Sequence, residues 1–280
     1  MGRVTRRHPV QRFESGSPHR RVEAVAVEEP LEIRINGESF LVTMRTPGDD
    51  IDLVHGLLFS ETVVRQRSDV AGARYCDGAG MDGLNSYNVL DVRLAGHVLP
   101  PLPELHRKVL TTSACGICGT TTIEQVLRAS AFPLPTGLTI GADVVLDAPD
   151  HLRLRQRGFD QTGGLHAAGL MSVGGDLVCV REDVGRHNAV DKVVGWAVRE
   201  DRVPLADSIL IVSGRASFEL TQKAVLAGIP MLAAVSAPSS LAVELAQQAG
   251  LTLVGFVRGR TMNIYTHPER VRNSPVHASI

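Results

Sequence analysis

The sequence predicts an α/β protein in which a three-layer α/β/α domain follows a smaller α+β domain. The second half carries short, continuously apolar segments that alternate with amphipathic ones, as parallel strands and helices do in βαβ units. The N-terminal third instead alternates apolar and polar residues around Asn36-Gly37, the strongest short signal for an antiparallel hairpin. A chain of 280 residues has room for both domains.

The N-terminal α+β domain is predicted over residues 22–110. The hairpin spans residues 21–46, and a helix follows Pro47-Gly-Asp-Asp50, because apolar residues then recur at helical spacings. Residues 63–84 are glycine-rich and poorly periodic, whereas residues 85–98 predict another pair of strands.

Before this domain, residues 1–21 predict a disordered basic head. The segment holds six arginines and one acidic residue, together with Pro, Gly and Ser and without an apolar period. Chain ends of such composition are usually poorly ordered. No apolar run follows the arginines, so we expect no secretory signal and a cytoplasmic location.

The α/β domain is predicted over residues 123–280. Two strands flank Gly174-Gly-Asp176, and helices and strands alternate after them. The uncharged stretch Ala224–Val243 is interrupted by turn signals, so we predict no membrane span. The alternating elements are helix His187–Arg199, strand Ser208–Val212, helix Phe218–Ala227, strand Ile229–Val235, helix Ser240–Gln248 and strand Leu251–Phe256.

The composition excludes two classes of protein. Lys and Arg total 29 against 30 Asp and Glu, a net charge of -1, which gives no general electrostatic case for nucleic-acid binding. The four cysteines are too few for a disulfide scaffold. In a reducing compartment a CxxC pair is more often catalytic or metal-binding than structural, so the pair Cys115 and Cys118 needs an explanation.

The CxxC pair lies in residues 111–122, a small, polar, glycine-rich segment between the two domains that predicts a mobile loop. A four-cysteine zinc site needs a second pair, but Cys76 and Cys179 are single and far apart. A thioredoxin-like motif follows a strand and opens a helix, which this segment does not. A sulfur carrier, whose mobile thiolate takes a persulfide sulfur and passes it on, fits best, and a dithiol without a role is the alternative.

Three arginine-containing segments follow predicted strands and indicate a pocket for an anion. In open α/β sheets ligands bind outside the carboxyl ends of strands, and glycine and arginine beside helix N-termini favour phosphate. We therefore predict a phosphate- or nucleotide-bearing ligand. The candidate binding residues are His187 within the polar segment 181–188, then Ser213, Gly214 and Arg215, then Phe256, Val257, Arg258, Gly259, Arg260 and Thr261.

His166 is the remaining candidate for chemistry, as a metal ligand or a base, although a single histidine more often has a structural role. Zinc deaminases carry HxE followed by PCxxC. Here Ala168 replaces the glutamate and no PCxxC follows, so we expect neither hydrolytic deamination nor a metal site.

Several spaced motifs resemble those of one known family. The segments are Ser113-Ala-Cys115-Gly-Ile-Cys118-Gly119, Thr162-Gly-Gly-Leu-His166-Ala-Ala and Arg181-Glu-Asp-Val-Gly-Arg186-His-Asn-Ala-Val-Asp-Lys192, together with Ser213-Gly-Arg215 and Gly255-Phe-Val-Arg258-Gly-Arg260. They resemble the FdhD family of formate dehydrogenase accessory proteins, over about residues 22–272.

The resemblance implies a sulfurtransferase of molybdenum cofactor biosynthesis. Such a protein accepts persulfide sulfur from a cysteine desulfurase and transfers it to bis(molybdopterin guanine dinucleotide) before that cofactor enters formate dehydrogenase. It implies Cys115 as the persulfide cysteine, Cys118 as its companion and Phe256–Thr261 as the cofactor-binding segment. It also implies a C-terminal domain similar to a cytidine deaminase. The alternative is a non-catalytic chaperone of the cofactor, and we expect a homodimer in either case.

Overall fold

The fold is given by a computed structural model that describes residues 4–76, 87–101 and 122–273. Cys115, Cys118 and all of the predicted loop except Thr122 lie outside these residues. The helices are α1 Asp50–Ser60, α2 Ile123–Ala129, α3 Ala142–Arg153, α4 Arg157–Thr162, α5 Arg186–Arg199, α6 Phe218–Leu226 and α7 Ser240–Ala249. The strands are β1 Thr5–Glu14, β2 Ser17–Ala26, β3 Glu29–Ile35, β4 Glu38–Arg45, β5 Val70–Tyr75, β6 Val89–Leu94, β7 Ile140–Gly141, β8 His166–Ser172, β9 Leu177–Asp183, β10 Ser208–Val212, β11 Met231–Ala234, β12 Thr252–Arg258, β13 Thr261–Ile264 and β14 Val271–Arg272.

A six-stranded sheet forms the centre of the C-terminal half, in the order β13-β12-β11-β10-β8-β9. Strands β10, β11 and β12 are parallel, as the sequence predicts, while β8, β9 and β13 are antiparallel to their neighbours. Every residue of β10 is buried, because helices cover both faces of a parallel sheet.

The helices lie in two layers around this sheet. Helix α3 packs on one face, where Val145 and Leu152 contact the side of the sheet that carries Ile209. Helices α5, α6 and α7 pack on the other face, which carries Leu210 and Leu232. The similarity of this layering to a cytidine deaminase stays a prediction. Within the part of the chain that the structure describes, no helix combines the length and apolarity needed to cross a bilayer.

The N-terminal half contains a four-stranded sheet in the order β4-β3-β6-β5. The predicted hairpin β3–β4 is confirmed, and its turn residues Asn36 and Gly37 have φ of 52° and 89°, which Asn-Gly accommodates. The predicted strand pair in residues 85–98 is wrong, because β6 is the only strand among the described residues 87–98. The partner of β6 is β5, whose sequence VAGARY lacks a regular alternation and becomes a strand through pairing.

The N-terminal segment differs from the predicted disordered head. Strands β1 and β2 pair along their full length across a turn at Ser15 and Gly16, whose φ angles are 50° and 82°. Helix α4 contacts both strands. An isolated two-stranded hairpin is only marginally stable in water, so the contact with α4 stabilises this one. The charged and exposed sequence of the segment gives no sign of that contact.

Helix α1 crosses helix α5 at two glycines, and this crossing joins the two halves of the protein. A Cβ on Gly195 would lie 1.8 Å from the carbonyl oxygen of Asp52, and one on Gly56 would lie 1.9 Å from that of Asp191. The two helix backbones are therefore in direct contact. One hydrophobic core runs from Leu31 and Leu53 in the N-terminal half to the sheet of the C-terminal half.

Candidate functional site

A cleft of about 570 Å³ opens at the carboxyl ends of the three parallel strands. Ser213 follows β10, Val235 follows β11 and Arg258 ends β12, and all three line the cleft. The opposite wall comes from α3, α4 and the turn Gly163-Gly164. The strand ends thus meet in one place, at the position where ligands bind in open α/β sheets.

The turn between β12 and β13 presents Arg258 at this cleft. Arg258 pairs with Thr261 across the two-residue turn, where Gly259 has φ of 55°. The guanidinium of Arg258 lies 5.4 Å from the centre of the Phe256 ring, and among the described residues it has no carboxylate partner. An unpaired guanidinium at the mouth of a cleft suits a phosphate oxyanion.

The structure separates the predicted binding residues into two groups. Ser213, Val257, Arg258 and Gly259 line the cleft. Arg260 instead forms an exposed ion pair with Asp147 at 3.2 Å. The other predicted binding residues do not line the cleft. They are His187, Gly214, Arg215, Phe256, Arg260 and Thr261.

His166 lines the cleft, although its sequence context does not mark it as a binding residue. Its strand pairs with β10, so Ala167 N–H donates to Ser213 Oγ at 2.9 Å. Burial, with the positive charge of Arg186 nearby, lowers the pKa of His166. The imidazole is therefore neutral at pH 7 and can both donate and accept a hydrogen bond.

His187 lies beside the cleft and is engaged with protein groups. Its Nε2 is 2.6 Å from Glu219 Oε2 and 3.4 Å from Ser217 Oγ. The hydrogen bond from His187 lowers the pKa of Glu219, so Glu219 is an anion that holds this imidazole in place. His187 thus supports the strand-end loops rather than facing the cleft.

The polar segment that contains His187 serves mainly as a clamp between the two halves. Asp183 accepts hydrogen bonds from Thr46 N–H at 3.1 Å and from Asn188 Nδ2 at 3.0 Å, and its Oδ2 is 2.8 Å from Lys192 Nζ. Lys192 also donates to the Thr46 carbonyl at 3.0 Å. Asp183 and Lys192 are 0% and 1% exposed, so this ion pair is structural.

Neighbouring residues of the same segment are paired as well. Arg181 contacts Asp52 at 2.8 Å, and the Glu182 carboxylate accepts from the first N–H groups of α4, at Gly158 and Phe159. Arg186 differs, because its Nε is buried without a hydrogen-bond partner among the described residues. The sequence marks this segment as polar, but only the fold shows which of its side chains are paired within the protein.

Of the described cysteines, Cys179 lacks the reactivity that a sulfur carrier needs. Cys179 is buried, and burial raises the pKa of its thiol to about 12. A thiol protonated at neutral pH is a poor nucleophile. Cys76 is half-buried. The predicted catalytic pair Cys115 and Cys118 lies outside the described residues, and its role stays a prediction.

The family model of the FdhD/NarQ family matches residues 26–272 of this chain. Curated relatives match over almost their whole length. The sulfur carrier protein FdhD of Nocardia farcinica is 60% identical over 97% of this chain and 96% of its own. The proteins of the same name from Streptomyces coelicolor and Mycobacterium tuberculosis are 54% and 53% identical, each over 97% of this chain and over 97% and 100% of their own.

A solved structure supports the fold. The crystal structure of a candidate formate dehydrogenase accessory protein from Desulfotalea psychrophila superposes with a TM-score of 0.77, over 96% of this chain and 100% of that one. Its sequence is 24% identical, so this comparison bears on the architecture alone.

Proposed function

Because the chain belongs to the FdhD/NarQ family, we propose that it is a sulfur carrier that supports formate dehydrogenase. The observation that carries the proposal is the near full-length match to proteins named as sulfur carriers. The CxxC pair Cys115 and Cys118 gives the sequence the thiol chemistry that this role requires. Burial of the Cys179 thiol supports the assignment of the chemistry to the pair.

The capture step is a thiol–persulfide exchange. The Cys115 thiolate attacks the terminal sulfur of a persulfide on a cysteine desulfurase, a sulfur–sulfur bond forms on Cys115, and the thiolate of the desulfurase leaves. Attack by an acceptor on the terminal sulfur then releases the Cys115 thiolate. Cys118 is the companion thiol of this cycle. The protein acts in this scheme as a sulfurtransferase with a persulfide intermediate.

The acceptor we propose is the guanine dinucleotide form of the molybdenum cofactor, bound as a substrate in the cleft. A volume of about 570 Å³ falls in the range of ligand sites and suits one nucleotide arm. The guanidinium of Arg258 can bind a phosphate of the cofactor. The neutral imidazole of His166 can donate or accept a hydrogen bond with the guanine base. These residues hold and orient the cofactor, and the sulfur comes from Cys115.

Incubation with a cysteine desulfurase and cysteine is expected to add the mass of one sulfur atom to the intact protein. Cys115→Ala should lose this gain, because no thiolate remains to accept the sulfur, while Cys76→Ala should keep it. Intact-mass spectrometry before and after reduction measures both. If Cys115→Ala still gains the sulfur, another cysteine is the carrier; if Cys115→Ala/Cys118→Ala gains none yet activates formate dehydrogenase as the parent does, the protein is a cofactor chaperone instead.

Arg258→Ala is expected to weaken the binding of GDP, used as a probe for the nucleotide arm, at least tenfold, because one charge-assisted hydrogen bond is worth about 1.5–3 kcal/mol. Arg215→Ala is the matched control, since Arg215 is also exposed but does not line the cleft. Isothermal titration calorimetry measures both affinities. Equal losses in the two variants, or none, would move the nucleotide site away from the cleft.

A further inference from the structure

A second cavity, of about 320 Å³, lies against β9 and shares no lining residue with the cleft. We call it the arginine groove. Its lining residues are Arg155, Arg157, Val178, Cys179, Val180, Arg181 and Trp196. Three of these seven residues are arginines, and among the described residues no aspartate or glutamate lines the groove.

The arginines of the groove differ in how their charge is balanced. Arg181 is held by Asp52 at 2.8 Å and by Asp49 at 3.5 Å, so its charge is compensated within the protein. Arg155 and Arg157 are exposed, and in the described ranges neither has an ion pair. The groove therefore presents two guanidinium groups that have no ion-pair partner among the described residues, although Arg155 also lines an adjoining cavity that contains Asp49 and Glu182.

The rest of the wall adds hydrogen-bond donors rather than negative charge. The indole N–H of Trp196 makes no hydrogen bond within the part of the chain that the structure describes, and Arg202 stacks on the ring at 5.3 Å. The Val180 carbonyl is already taken by Arg181 at 3.0 Å. The pKa of Cys179, raised by burial to about 12, keeps its thiol neutral at pH 7.

We propose that the arginine groove binds a phosphate-bearing small molecule through Arg155 and Arg157. These two guanidinium groups match the charge of a phosphate monoester, about −1.5 to −2 at pH 7, and their forked donors match its oxygens. The volume lies at the lower end of the range for ligand sites, which suits one phosphate with a small substituent.

The loop between α3 and α4 separates this site from the cleft. Arg153 at the end of α3 and Gln156 of the loop line the cleft, whereas Arg155 of the loop and Arg157 at the start of α4 line the groove. Arg153 is also paired with Asp160 at 2.5 Å, so it is not available to the groove. The groove is therefore a site in its own right, and it does not depend on the proposed sulfur-carrier function.

The single tryptophan of the chain gives a direct readout, since Trp196 lies in the groove. We expect inorganic phosphate to shift the indole ¹H–¹⁵N resonance of Trp196 in a saturable way, at ionic strength held constant with sodium chloride. The double variant Arg155→Ala/Arg157→Ala should raise the apparent dissociation constant at least tenfold. Both arginines are exposed, so its thermal midpoint should not change.

Two single variants keep this test separate from the nucleotide site. Arg128→Ala removes an exposed arginine that is paired with Glu124 on α2, and Arg258→Ala acts in the cleft; neither should alter the phosphate titration. A shift that does not saturate, that persists in the double variant, or that disappears in Arg258→Ala would overturn the proposal. So would saturation by a polyglutamate peptide but not by phosphate, which would assign the groove to an acidic protein segment.

Discussion

Gly195→Ala is expected to destabilise the native state by about 3 kcal/mol. The new methyl carbon would lie 1.8 Å from the Asp52 carbonyl oxygen and 2.4 Å from the Gly56 nitrogen. Both contacts are with backbone, so no side chain can rotate away and helices α1 and α5 must separate. Urea-induced unfolding should show a lower midpoint, because the loss is a large part of a typical stability of about 5–15 kcal/mol.

Gly137→Ala is the control for the effect of the substitution itself. A Cβ at Gly137 would meet no atom within 4 Å, so we expect its stability to stay within about 0.5 kcal/mol of the parent. A Gly195→Ala protein as stable as Gly137→Ala would mean that the two helices do not cross at these glycines. The core that α1 shares with the C-terminal half would then need a different description.

Lys192→Met is expected to cost about 3–5 kcal/mol, because it leaves the buried Asp183 carboxylate without its counter-ion. Methionine is close to lysine in volume, so the loss comes from the charge and from the hydrogen bond to the Thr46 carbonyl. Thermal unfolding should therefore begin at a markedly lower temperature. Exposed ion pairs behave differently, and removal of the Arg128–Glu124 pair should change stability by less than about 1 kcal/mol.

A double-mutant cycle tests whether the charge is responsible. Asp183→Asn/Lys192→Met removes both charges, so it should lose less stability than the sum of the single variants, with a coupling of about 1 kcal/mol or more. Strictly additive losses would show that Asp183 and Lys192 act independently. The pair would then be no more than two separate packing positions in the interface.

The parts of the fold that carry strong local signals are predictable from the sequence. Asn36-Gly37 sets the hairpin of β3 and β4 because its residues tolerate positive φ. Strand Ser208–Val212 is recognisable because four consecutive apolar residues follow Ser208, as in a strand that is covered on both faces. Strand β5 and the hairpin β1–β2 are not recognisable, since their order depends on pairing and on contact with α4 rather than on their own pattern.

Some residues of the candidate site can also be predicted from the sequence, and others cannot. The arginine and glycine at the end of β12 predict a phosphate-binding turn, and the structure places Arg258 and Gly259 in the cleft. Arg260, two residues further, follows the same sequence signal but pairs with Asp147. The sequence marks His166 as a candidate for chemistry but does not place it in the cleft, because that position follows from the antiparallel pairing of its strand with β10.

Local sequence features predict the class of chemistry and most of the C-terminal architecture. The spacing of Cys115 and Cys118, the family motifs and the alternation of strands and helices are local features, so they can be read without coordinates. The roles of the polar residues depend instead on contacts between distant parts of the chain. Asp183 and Thr46 are 137 positions apart yet form a buried hydrogen bond. Whether a charged side chain binds a ligand or stabilises the fold depends on the partner that lies beside it in the folded protein.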